Sequence, residues 1–213
     1  MSAFIPDLPV LAAYILASIV LGLTPGPDMT LFLSKTVSHS RQAGFAAASG
    51  ALSGVVVHTI LVAVGLSALL AASATAFTIL KIVGALYLAW LAFDAIRNGS
   101  ALSLNRQGGT ETLSAVYLKG LLVDLLNPKV IVFFVTFLPQ FVSPTDPDAA
   151  KKLLFLGLAF VVVNVPVNFG LVLFAERIAH HLKRSRRVTR IVDWVFAGVL
   201  GAFAVKLALT QNR

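Results

Sequence analysis

The 213-residue sequence contains no cysteine, only 9 Asp and Glu, and 12 % charged residues in all. Without cysteine there are no disulfides, no thiolate metal sites and no thiol redox chemistry. A soluble domain carries about 25 % charge, so this shortage, together with 58 % hydrophobic residues, predicts an integral membrane protein. The four histidines, His39, His58, His180 and His181, form no metal-ligand pattern, and no metal or other cofactor is expected. The excess of 17 Lys and Arg gives a net charge of +8, which in a soluble protein would suggest nucleic acid. Here the bases cluster in loops between apolar runs, where they act as orientation signals, and no nucleic-acid partner is expected. The first residues lack a basic segment and a small-residue cleavage site, so no removed signal peptide is expected.

A helix needs about 20 apolar residues to cross the hydrocarbon, and six such spans can be placed. They run from about Leu8 to Leu33, Gly44 to Leu70, Phe77 to Ile96, Ala115 to Val142, Leu153 to Ala175 and Ile191 to Leu209. Lys35, His39 and Arg41 mark a short polar loop after the first. The loops after spans one, three and five carry Lys35, Arg41, Arg97, Arg106 and the basic run from Arg177 to Arg190. The other side has only Lys151, Lys152 and Arg213. By the positive-inside rule the basic loops are cytoplasmic and both termini face outward. The stretch Lys183 to Arg190 reads as an anchor on anionic lipid.

Two spans are interrupted. Thr24-Pro25-Gly26-Pro27-Asp28 lies inside the first and Asp124-Leu125-Leu126-Asn127-Pro128-Lys129 inside the fourth. Proline removes a backbone donor and clashes with the preceding turn, so each helix breaks there. Broken backbone at membrane depth is tolerated only where protein or a water-filled cavity covers it, which is how many transporters build a substrate site. Pro27 aligns with Pro128, a little further on Gly54-Val55-Val56-Val57-His58 matches Phe160-Val161-Val162-Val163-Asn164, and Gly84 has a counterpart in Gly198. Like halves with three spans each must be inverted relative to one another. The expected fold is therefore an all-α membrane protein of six helices in one domain, residues 1–213. Its two inverted three-helix repeats cover about 1–98 and 114–213, with the site at their interface.

The polar residues near the breaks are the candidates for chemistry. Asp28 opens the half-helix after the first break, where a carboxylate gains about 0.3 to 1 kcal/mol from the helix dipole. Burying it at bilayer depth costs roughly 2.5 to 3.5 kcal/mol, more than a cap returns, which favours binding of a substrate amine or a proton. Lys129 aligns with Asp28, so an acid and a base face one another across the two-fold, as an ion pair or as a contact for a substrate carboxylate. Asn127 and Pro128 serve the break itself or touch substrate. Asp124, one turn earlier, is expected to pair with Lys129 or Lys119. His58 is either a core histidine bonded to a neighbouring helix or a proton relay. Gly44, Gly50 and Gly54 have the spacing of close helix packing. Tyr87 and Trp90 either line the path or pack, and Asp94 with Arg97 reads as a local ion pair.

Thr24-Pro25-Gly26-Pro27, Gly50-x3-Gly54-x3-His58 and Asn127-Pro128-Lys129-x-Ile131-Val132-Phe133, with Phe137-x-Pro139-Gln140-Phe141, closely resemble the LysE/RhtB family of amino-acid exporters. Over nearly the whole chain the likeness is nearest to the threonine, homoserine and homoserine lactone branch. It implies secondary export of a neutral amino acid or derivative across the bacterial cytoplasmic (inner) membrane, driven by protons. Arginine and lysine exporters of the family carry an acidic residue near the position of Gly54, and its absence here argues against a basic substrate. The expected partners are the amino acid, protons and the lipid bilayer, with a homo-oligomer left open, and no enzymatic activity is expected. The substrate or proton site is expected among Thr24, Pro25, Gly26, Pro27, Asp28, His58, Asp124, Asn127, Pro128 and Lys129. In that reading the substrate carboxylate meets Lys129 and the half-helix end, its amine meets Asp28, and a proton displaces the amine. The alternatives are a metal-ion or other small-solute exporter of the same fold, or a non-transporting membrane assembly protein.

Overall fold

A computed structural model describes residues 6–66, 111–142 and 146–177 continuously, with single helical positions between 75 and 97 and between 190 and 205. Every regular element among the described residues is helical. The first break separates α1 (Leu8–Leu23) from α2 (Pro27–Ser38), and α3 (Arg41–Leu61) follows, ending in a π-helical turn, Val62–Leu66. The second separates α4 (Leu113–Leu125) from α5 (Pro128–Val132), which continues through a π turn, Phe133–Phe137, and a 3-10 turn, Leu138–Phe141. The last continuous helix is α6 (Ala149–Leu173).

Local chemistry sets these boundaries. Pro27 and Pro128 each occupy the first turn of a half-helix, where a missing N–H costs nothing. The Ser40 and Thr112 hydroxyls accept from the backbone N–H of Ala43 and Ala115, capping α3 and α4. Arg41–Gly65 and Ala149–Leu173 are each long and apolar enough to cross a membrane, and each bent pair qualifies as one broken span, with bends of 52° and 49°. The expected third span, at 77–96, and sixth, at 191–209, lie largely outside the described residues. So do Tyr87, Asp94 and the basic run 183–189.

α3 and α4 touch backbone to backbone. A Cβ on Gly50 would stand 2.9 Å from the Leu121 nitrogen and closer still to the Tyr117 carbonyl, and one on Gly120 would collide with the Ala47 carbonyl. Two apolar clusters form at opposite ends of α3 and α6. One is aromatic, built on Tyr14, Phe133, Phe134, Phe137 and Phe160. The other is built on Met29, Phe32, Leu33, Ala47 and Val116. The polar groups at the two breaks lie in the layer between them.

The polar loop expected at Lys35 is instead the last turn of α2. Lys35 is 7 % exposed and its Nζ stands 2.6 Å from Glu111 Oε2, the residue before the Thr112 cap. Lys119, proposed as a partner for Asp124, binds instead the other oxygen of Glu111, about two helical turns before it in the chain. The hydrogen bonds from Lys119 and then from Lys35 hold the Glu111 carboxyl down to about 2. A carboxyl lowered on folding stabilises fully above its ordinary 4.5 and loses that contribution as pH falls through about 2. Glu111→Gln is therefore expected to melt at a lower temperature than wild type, with an offset constant from about pH 6 to 8 and shrinking below about pH 4. Thermal melts of both proteins in detergent across pH check this. An offset that grows on acidification contradicts it.

Candidate functional site

Each break leaves carbonyls at the end of the preceding helix without intrahelical donors; the first is served from the second break, and the second by its own backbone and by α3. From the second break, Lys129 Nζ reaches the carbonyls of Thr24 (3.1 Å) and Leu21 (3.5 Å) at the end of α1, and stands 3.5 Å from Asp28 Oδ1. Its positive charge thus sits at the negative end of α1 and beside a carboxylate, both favourable. Asn127 Oδ1 accepts from the Lys129 backbone N–H and so caps α5, while its Nδ2 donates to Asp28 Oδ1 at 3.2 Å. At the end of α4 the Asp124 carbonyl accepts from the Asn127 backbone N–H and lies 3.3 Å from His58 Nε2 on α3.

The expected residues therefore come together, with distinct parts. Asp28, Asn127 and Lys129 form one connected group across the two breaks. Thr24 donates its hydroxyl to the Val20 carbonyl and gives its own carbonyl to Lys129. Pro25 is buried and Pro27 exposed, and the two frame Gly26. Gly26 is extended, at φ −155, so glycine is needed there for space. A Cβ would lie 2.8 Å from both Asp28 Oδ1 and Lys129 Nζ. Pro128 starts α5. Asp124 makes no ion pair with Lys119. It is 1 % exposed, its Oδ2 has no hydrogen-bond partner among the described residues, and His58 Nε2 is 4.0 Å away.

Asn164 and Asn168, one turn apart on α6, also belong to this layer. Asn164 Nδ2 donates to the carbonyls of Ser18 and Phe160, and its side chain fills the space left by Gly22. A cavity of about 20 Å³ is lined by Asp28, Asp124, Lys129, Asn164 and Asn168 together with apolar Leu21, Leu52, Val55 and Phe160. That volume suits one water molecule, which needs about 10 to 15 Å³. The signal for the two asparagines was a pair of amides at helical spacing in an otherwise apolar span, with Asn164 already aligned to His58. Among the described residues no three His, Asp or Glu side chains are grouped to hold a metal ion.

Two broken apolar helices whose ends are joined by a buried charged group define a membrane protein of the transporter class. The family model described as LysE type translocator matches residues 19–211, and the chain belongs to that family. It is 35 % identical over 176 residues to the homoserine/homoserine lactone efflux protein of Salmonella typhimurium, covering 83 % of this chain and 85 % of the relative. It is 34 % identical to an uncharacterized membrane protein of Vibrio cholerae, over 87 % and 90 % of the two chains. It is 28 % identical to the leucine efflux protein of an Enterobacter species, over 92 % and 93 %. No solved structure matches the chain significantly.

Proposed function

We propose that this protein exports neutral amino acids or their derivatives, of the homoserine, homoserine lactone or leucine kind, from the bacterial cytoplasm in exchange for protons. The observation that carries this reading is the Asp28–Lys129 pair, at 3.5 Å, joining the two helix breaks. A zwitterion offers an ammonium and a carboxylate that match this acid and base, and the cavity beside them combines Asp124, Asn164 and Asn168 with apolar walls. The cavity holds about one water, so admission of a whole amino acid requires the helices around the breaks to move apart. Alternating access by rocking of two inverted three-helix repeats, about 1–98 and 114–213 in one domain, supplies that motion. The similar bends of the two broken pairs support this plan. So do the parallel contacts of His58 with α4 and of Asn164 with α1. The Lys35–Glu111 bridge puts the ends of α2 and α4 on one side, in keeping with cytoplasmic basic loops and outward termini in the inner membrane.

Bacteria preloaded with dipeptides test the proposal. The medium is assayed for every amino acid in cells carrying wild type, Asp28→Asn or empty vector at matched membrane abundance. Wild type is expected to release one or a few neutral amino acids at least about tenfold faster than Asp28→Asn, the effect of losing about 1.4 kcal/mol. No difference between wild type and empty vector would sink the export reading, and equal export by Asp28→Asn would remove Asp28 from the site.

A further inference from the structure

The site holds two carboxylates and one ammonium. Asp28 takes Lys129 and the Asn127 amide. Asp124 is left buried, its Oδ2 bare, facing the same cavity. Among the described residues, the charged or titratable groups that face it are Asp28 from α2, His58 from α3 and Lys129 from α5, while α6 contributes the neutral Asn164 and Asn168. The His58 ring nitrogen nearest to it already lies 3.3 Å from the Asp124 carbonyl and 4.0 Å from the carboxylate. An ionised carboxyl without donors or a cation of its own is among the costliest groups to bury, whereas a neutral carboxyl is not. Gly54 supports the assignment: a Cβ there would stand 2.5 Å from Asp124 Oδ2, so this wall brings backbone, and no donor side chain, against the oxygen.

We infer that Asp124 carries the exchanged proton, with His58 as its positioning neighbour, while Asp28 remains the ionised partner of Lys129. This rests on the proton-exchange reading above. An ammonium entering the cavity favours release of H⁺ from the Asp124 carboxyl, and reprotonation of that oxygen disfavours the ammonium. The two effects are equal by linkage. No other bond is made or broken.

Proteoliposomes loaded with homoserine or with leucine test it in two modes, exchange without a pH gradient and accumulation driven by one. Wild type is expected to accumulate roughly tenfold for one unit of pH at one proton per substrate. Asp124→Asn, which imitates the protonated form, is expected to lose gradient-driven accumulation altogether and to exchange only at raised substrate concentration. His58→Gln is expected to shift the pH profile of accumulation while retaining it. Infrared spectra of the resting protein supply a second readout. The carbonyl stretch of a protonated carboxyl should be present in wild type and Asp28→Asn and missing from Asp124→Asn. Gradient-driven accumulation by Asp124→Asn overturns the assignment, as does a band that persists in Asp124→Asn or vanishes in Asp28→Asn. A wild-type protein that moves neither probe, or ignores the gradient, shows instead that the export or proton-exchange reading has failed.

Discussion

Lys129→Met is expected to abolish export and to destabilise the folded protein by about 3 to 5 kcal/mol, the cost of removing one partner from a buried ion pair. The size follows from how many groups the ammonium serves. Besides Asp28 Oδ1 it satisfies the Thr24 carbonyl, which the first break has deprived of a helical donor, and adds to the Leu21 carbonyl, which also accepts from the Thr24 backbone N–H. Buried acceptors left unpaired cost about 1 to 3 kcal/mol each. Asp28→Asn in the Lys129→Met background should restore part of the stability, because a neutral pair no longer strands a charge, while the Thr24 carbonyl stays unserved. Export should remain absent, since neither end of a zwitterion then has its counter-charge. Thermal melts of the single and double variants, with efflux at matched protein level, decide the matter. If Lys129→Met exports at the wild-type rate, the pair does not belong to the transport site.

Gly120→Leu is expected to prevent folding or to cost at least about 3 kcal/mol, the upper end for overpacking. A Cβ at this position meets the Ala47 carbonyl of α3, and one at Gly50 meets the Tyr117 carbonyl of α4. Backbone cannot rotate aside as a side chain can, so the two helices would have to part along their whole contact. That contact also sets where Asp124 and His58 meet, so transport should fall with stability. Gly170→Ala is the control. Among the described residues nothing lies within 4 Å of its added carbon, and the folded yield should be unchanged. Equal stability of Gly120→Leu and wild type would show that the α3–α4 contact is looser than the helix positions require.

Much of the architecture was legible because its causes are local. Pro25-Gly26-Pro27 and Asn127-Pro128 break helices wherever they occur, and the structure bends at both. The alignment of Asp28 with Lys129 anticipated their approach. The partners of the remaining charges were not legible. Lys119, one of two partners expected for Asp124, binds Glu111, and Lys35 was placed in a loop but is buried in α2. Asn164 and Asn168 were visible as polar residues in an apolar span, with nothing to say that they line the cavity.

The sequence by itself determined the membrane class, the sites of the two breaks and the family, because hydropathy, proline geometry and motif spacing are properties of neighbouring residues. Only the tertiary structure decided that each break is completed by groups from elsewhere. Lys129 serves the carbonyls of α1, Asn127 holds Asp28, and Asp124 is left without a donor. The physical reason is that in a membrane protein the lipid-facing and buried sides of a helix are equally apolar. The usual pattern that tells inside from outside is then lost, and side-chain pairing is set by which helices pack closely, here through backbone contacts at Gly50 and Gly120.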